Sequence, residues 1–388
     1  MKGLFKVSTL AISVFAASQA GAIELYNNEG TTAGISGVVA AQMASYGYDK
    51  DSALGEAFDS ENMLIEDPGS YLNIDIRHQQ GSFYGLTRVA WDLNFQTSPT
   101  SETSIKQEEP LSARETYAGF GHDDFGAVTI GRQTSPYMKT DKGFYTYWAG
   151  GFNQSFSDEL GSRRALNAVV WQNDFDNLYV GLQYQAKRSV DQIAFGNGGT
   201  YGEVFVGDTT IDSGFGAAIA YTFESTGTYI AAAYNRNDDI NGDLNSFLDP
   251  VTAPKTTLTN AEFSQYSVAA EQHFMDGGIS LSARYEHYDS KDGAATATYD
   301  VSGNSFGIGA NMYLSDQWRI FANYEMGKEE SNILDIAVSD FSMFAVGTAY
   351  APVAWGEVYL EAYNDKNEFY EVEAGKGTHV FLGAAVFF

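Results

Sequence analysis

The stretch HVFLGAAVFF, His379 to Phe388, carries an apolar residue at every second position: Val380, Leu382, Ala384, Val386 and Phe388. A strand points successive side chains to opposite faces, so this period writes one unbroken apolar face along a β-strand. The device recurs. In SLSARYEHY (Ser280 to Tyr288), Leu281, Ala283 and Tyr285 share one face, and Ser280, Ser282, Arg284 and Glu286 share the other. In QWRIFANYEMG (Gln317 to Gly327), Trp318, Ile320, Ala322 and Tyr324 alternate with Arg319, Phe321, Asn323 and Glu325. Such segments predict strands at 33–45, 71–79, 83–96, 112–122, 125–133, 163–174, 177–188, 213–224, 226–236, 264–274, 277–289, 301–314, 317–327, 340–351, 354–364 and 379–388. Their number is even, as closure of an antiparallel bacterial barrel requires.

The connectors alternate in length. DNL, STG, MDGG and SDQ are tight, whereas 46–70, 97–111, 134–162, 189–212, 237–263, 290–300, 328–339 and 365–378 are long. Short turns on one side and long loops on the other fit a sixteen-stranded transmembrane barrel better than a soluble sandwich. In a closed barrel the last strand pairs with the first and leaves no edge, so Phe388 becomes a wall position at the closing seam. Trp91, Phe95, Trp318, Trp355, Phe387 and Phe388 lie near strand ends, where interfacial aromatic girdles are expected.

Composition closes off the other options. The chain holds 25 Tyr, 26 Phe and 5 Trp, yet its mean hydropathy is −0.24. After the leader no apolar run is long enough for a spanning helix. Met1 to Ala22 pairs Lys2 and Lys6 with an apolar run and the Ala20-Gly21-Ala22 triplet, the pattern of a secretory signal. Residues 23–388 then form one barrel domain in the outer membrane. The leader contains two of the 22 Lys and Arg and none of the 50 acids, leaving 20 basic against 50 acidic residues. So acidic a chain repels nucleic acid. With no cysteine, disulfides do not hold the fold.

The five histidines (78, 122, 273, 287 and 379) are scattered, and no metal site, cofactor site or catalytic constellation emerges. The chain reads as a channel and not as an enzyme. Asn237, Asp239, Asn241 and Gly242 open like a calcium loop, but Leu248 stands where the bidentate Glu belongs. Lumen-facing parity sets Asn73, Asp75 and Arg77 on one strand, Arg88, Asp92 and Asn94 on the next, then Arg114 and Arg164. Such arginines either set a fixed field across a pore or brace the wall through Asp75 and Asp92. Tyr145, Tyr147 and Trp148 keep a second reading open, a channel specific for sugars with an aromatic slide. A third is an adhesive barrel whose acidic loops make surface contacts.

Several stretches resemble the general, trimeric porins of the Gram-negative outer membrane. IELYNNEG (Ile23 to Gly30) is similar to the porin N-terminus, and RETYAGFGHDDFGAVTIGRQ (Arg114 to Gln133) to the fourth and fifth strands. SDELGSRRALNAVVWQNDF (Ser157 to Phe175) resembles the return from the constriction loop into the sixth strand. The resemblance implies passive diffusion of ions and small hydrophilic solutes through each barrel of a homotrimer. It also implies a long third loop folded into the lumen. Carried over by residue, Arg114 and Arg164 match the basic wall of the eyelet, with Arg163 as the alternative and Arg77 and Arg88 beside them. Asp141, Asp158, Glu159 and Trp148 belong to the third loop. Arg132 matches a residue that pairs across the trimer with a second-loop acid, for which Glu102, Glu108 and Glu109 are available. Phe388 matches the signal read by the barrel-assembly machinery; membrane lipid and lipopolysaccharide are the other implied partners. The usual Pro-Glu before Gly150 is replaced by Trp148-Ala149, and Val38 and Asn73 stand where basic residues are common.

Overall fold

The computed structural model describes residues 22–49, 52, 63–93, 110–147, 156–194, 204–246, 256–294 and 300–388. Trp148, Glu102, Glu108, Glu109 and Phe95 lie outside the described residues. In chain order the strands are β1 (Ile23–Asn28), β2 (Thr31–Ser45), β3 (Met63–Glu66), β4 (Tyr71–Gln80), β5 (Phe83–Leu93), β6 (Leu111–His122) and β7 (Gly126–Thr134). Then come β8 (Arg164–Phe175), β9 (Leu178–Gln185), β10 (Arg188–Ala194), β11 (Val204–Phe223), β12 (Thr228–Ser246) and β13 (Thr256–Phe274). The last are β14 (Ile279–Lys291), β15 (Asp300–Ser315), β16 (Trp318–Ser331), β17 (Ile336–Val353), β18 (Gly356–Phe369) and β19 (Val372–Phe387).

All pairings are antiparallel, and a closed barrel of sixteen strands results. Each ring strand pairs with the next, β9 with β11, and β19 returns to β2 with Val386 opposite Val39. The short β1, β3 and β10 lie beside the ring: β1 pairs with the start of β2, β3 with its end, and β10 with β11. Gly37 and Phe388 exchange main-chain hydrogen bonds of 2.7 and 3.1 Å, so the closing ladder runs to Phe388. Every strand predicted from alternation is present.

Side-chain parity follows the pleat. On β19, Val380, Leu382 and Val386 are exposed on the outer face, whereas His379, Phe381 and Phe387 are buried on the inner one. Phe387 therefore corrects its assignment to the outer girdle: it packs inside against Val38, Ala40, Tyr71 and Ala385. On the outer face an aromatic row runs from β9 to β17 through Tyr184, Phe215, Tyr234, Tyr266, Phe306, Tyr324 and Phe344. Trp318 and Trp355 are exposed near the tight-turn end, as an interfacial girdle requires.

Wall height is uneven. Strands β4 to β9 have 8 to 12 residues, about enough to cross a bilayer, whereas β11, β12 and β13 have 20, 19 and 19. The long loops expected at 328–339 and 365–378 are mostly strand. β16 and β17 are joined by 332–335, and β18 and β19 by Tyr370 and Glu371 alone. Both of these residues have positive φ, 49° and 63°, as a two-residue type I′ hairpin turn demands. Beyond the lipid both faces of a strand meet polar surroundings, so the period fades while the ladder continues. The calcium-like stretch is likewise strand over 237–246, in β12, with Asp239 at positive φ in a register irregularity and Asn237 buried, donating to Leu160 O at 2.8 Å; Leu248 lies outside the described residues.

Candidate channel constriction

Two bulges assemble the basic side of the lumen. Between Ala90 and Trp91 the β5–β6 register slips, and the neighbours Arg114 and Glu115 are both buried. Strict alternation would send one of them to the lipid; an extra residue in the ladder re-aims it. A second slip, between Gly131 and Gln133 of β7, leaves Arg132 free to reach the third loop.

Asp158 is where these groups meet. A compact turn presents it, with Ser162 and Arg163 N–H both donating to Ser157 O and Leu160 N–H donating to Ser157 Oγ. Its Oδ1 accepts from Arg163 Nε at 2.7 Å and from the Arg164 main-chain N–H at 3.1 Å. Its Oδ2 accepts from Arg132 Nη2 at 2.8 Å and from Arg164 Nη1 at 3.5 Å. Burial alone would raise this carboxyl, but the guanidinium groups of Arg163, Arg164 and Arg132 hold it well below the usual carboxylate range. Asp92 continues the chain: it binds Arg114 Nη1, and Arg164 Nη1 lies 4.0 Å away. The Arg114 guanidinium sits 4.4 Å above the Tyr71 ring. Four arginines thus share two acids.

The other predicted residues fall elsewhere. Arg88 braces the wall, bound to Asp75 at 2.6 and 3.0 Å and to Glu115 at 3.4 Å. Arg77 lies at the tight-turn end, stacked 3.6 Å from the centre of the Tyr84 ring and 3.7 Å from Asp123. Its place in the eyelet is corrected accordingly. Arg132, expected across a subunit boundary, is held by Asp158 of its own chain. Asp141 caps a short 3-10 turn, its N–H donating to Met138 O, and Glu159 accepts from Ser157 Oγ at 3.0 Å.

Residues 137–147 of the third loop are tied to the strands facing β6–β8 across the ring. Tyr137 donates to Glu286 of β14 at 2.7 Å. Lys142 and Tyr145 both bind Glu271 of β13, at 2.6 and 2.7 Å. Tyr147 N–H donates to Glu361 of β18 at 2.8 Å, and its ring stacks on Tyr359 with centroids 4.0 Å apart. Tyr145 and Tyr147, candidates for a sugar slide, are thus packed against the wall. These glutamates were missed as site residues. Parity did carry their signal, since Glu286 shares its face with Ser280, Ser282 and Arg284; their partner, a loop more than 100 positions away, left none. With Glu325, Glu329 and Asp365 they make the inner face of β13–β18 acidic.

Within the closed barrel, the described residues thus set a basic cluster opposite an acidic wall, an arrangement of fixed charge like those that line ion pathways. The chain matches the Gram-negative porin family over residues 8–385 and belongs to it. It is 23% identical over 388 residues to the outer membrane porin PhoE of Escherichia coli K12, covering 89% of this chain and 99% of PhoE. It is 23% identical over 328 residues to the major outer membrane protein of Pasteurella multocida, covering 83% of each. Among solved structures it is similar to OmpT of Vibrio cholerae, with TM-score 0.66 and 15% identity over 94% of this chain and 99% of OmpT. The anion-selective porin of Comamonas acidovorans aligns with TM-score 0.62 and 14% identity over 92% of this chain and all of its own. The protein is a porin of the Gram-negative outer membrane, a passive diffusion channel and not an enzyme.

Proposed function

We propose that the third loop folds into the lumen and narrows it between the Arg114–Arg132–Arg163–Arg164 cluster and the acids of β13–β18, so that the pore is a general, weakly cation-selective one. The observation that carries this is the tethering of residues 137–147 to Glu271, Glu286 and Glu361 while Asp158, on the returning limb, binds the arginines. The acidic loops enrich cations at the mouth, but exposed charges are screened beyond about 8 Å at physiological ionic strength, whereas wall charges act at contact distance. Arg163 is 44% exposed at its side chain and Arg164 18%, so the first faces the ions and the second braces the loop. Reversal potentials in a KCl gradient across a planar bilayer test this. Arg163→Ala is expected to raise cation preference more than Arg164→Ala does, with wild type only mildly cation-selective. Strong anion selectivity of the wild type would show that the arginine cluster dominates the field and overturn the cation-selective reading, and no change in either variant would place the constriction elsewhere.

A homotrimer is proposed through the low arc of the wall, whose strands β4 to β8 lie outside the aromatic row and expose Ile76, Phe120, Val128 and Ile130. Lipids take up the aromatic arc, and the outer-face pairs Lys291–Asp300, Lys328–Glu330 and Lys366–Glu368 stand at the height of lipopolysaccharide headgroups. Ile130→Ser should lower the temperature of trimer dissociation in detergent more than Arg132→Ala, because Arg132 is engaged within its own subunit. The reverse order would restore Arg132 as the intersubunit contact.

A further inference from the structure

The inner face of β15 carries glycine where its neighbours carry side chains. Gly303, Gly307 and Gly309 alternate along it, and level with Gly309 stand Ser282 on β14 and Asn323 on β16. The chain Gly143-Phe144-Tyr145 lies directly on this bare strip. A Cβ placed on Gly309 would stand 3.0 Å from Phe144 Cα and 3.1 Å from Gly143 C, both main-chain atoms, and 3.0 Å from Cδ2 of the Tyr145 ring. From the other side, a Cβ on Gly143 would stand 3.1 Å from Gly307 O. Gly143 has φ +101°, a conformation that side chains rarely adopt. Flanking bonds hold the strip from both edges: Gly143 N–H donates to Ser282 Oγ at 3.2 Å, and Arg319 Nη1 donates to Tyr145 O at 3.1 Å.

We propose that Gly307 and Gly309 form a shelf that sets the bore of the channel, by letting the third-loop backbone lie flush against the wall instead of standing off it. They are positioning residues, acting through the loop, and the inference rests on the reading that this loop narrows the lumen. Its physical basis is close packing. Two of the three atoms nearest a Gly309 Cβ are main chain and the third belongs to the Tyr145 ring, which its hydroxyl ties to Glu271 at 2.7 Å, so a rotamer change does not readily absorb added volume and the loop must move toward the open lumen. Gly303 has a different task, since its missing Cβ makes room for the Tyr288 ring, 2.1 Å from where that atom would be.

The test is single-channel conductance and the size limit for neutral sugars, measured on heat-modifiable trimers of Gly309→Ala, Gly309→Val and Ala310→Val. Ala310 is the next residue of β15 and points to the outer face, so its variant adds volume to the same strand without touching the loop. Conductance and size limit are expected to fall stepwise from wild type to Gly309→Ala to Gly309→Val, with Ala310→Val unchanged. If Gly309→Val fails to assemble, the drop in Gly309→Ala carries the test. Unchanged conductance in both Gly309 variants overturns the shelf, as does an equal fall in Ala310→Val or a rise in conductance. A wild type that does not conduct at all would instead overturn the channel reading itself.

Discussion

Asp158→Ala is expected to destabilise the folded barrel by about 3 kcal/mol, because it leaves the largely buried Arg164 and the partly buried Arg132 without the carboxylate they share with the half-exposed Arg163. Asp158 is 9% exposed at its side chain and joins Arg132, Arg163 and Arg164. The temperature at which the heat-modifiable band disappears reads the loss, and a small fall would reduce the cluster to a solvated surface network. Proton linkage supplies an independent check. The folded-state carboxyl titrates below the unfolded one, so its stabilisation is complete above about pH 4 and declines as pH falls through the lower, folded value. The stability gap between wild type and Asp158→Asn should hold steady from about pH 5 to about pH 8 and close only in strong acid. A gap that widens on acidification would contradict the assignment.

Deleting Phe388 should reduce the yield of heat-modifiable trimer in outer membranes more than any other loss of one residue from a strand end. Its N–H and C=O both pair with Gly37, and each such bond contributes about 1 kcal/mol at the one seam that local hairpin formation cannot close. Its ring also lies over Gly37, 2.9 Å from where a Cβ of that residue would be. Phe388→Ala separates the two roles we propose, seam closure and recognition by the assembly machinery, since it keeps the main-chain bonds and removes the ring. An intermediate yield is expected for Phe388→Ala and the lowest for the deletion. Wild-type yield in both would remove Phe388 from seam and assembly alike.

The sequence by itself determined the ring. Alternation is a local property, written residue by residue wherever one face meets lipid and the other the lumen, and it located all sixteen strands and their tight turns. It failed where that contrast ends: beyond the lipid, 328–339 and 365–378 lost the period but kept the ladder. Parity also named Arg114 and Arg164, and the resemblance supplied Arg163 and Asp158. Only the tertiary structure decided what these residues do. A bulge set Arg114 and its neighbour Glu115 both inside the wall, a second let Arg132 reach the third loop, Arg77 was carried to the tight-turn end, and Asp158 was set among three arginines. Glu271, Glu286 and Glu361 gained their role from a loop more than 100 residues away in the chain, and Gly309 gained its role from the absence of a side chain at the place where that loop lies. Pairings of this kind depend on register slips and on the closing of long loops, and neither leaves a periodic mark on the residues involved.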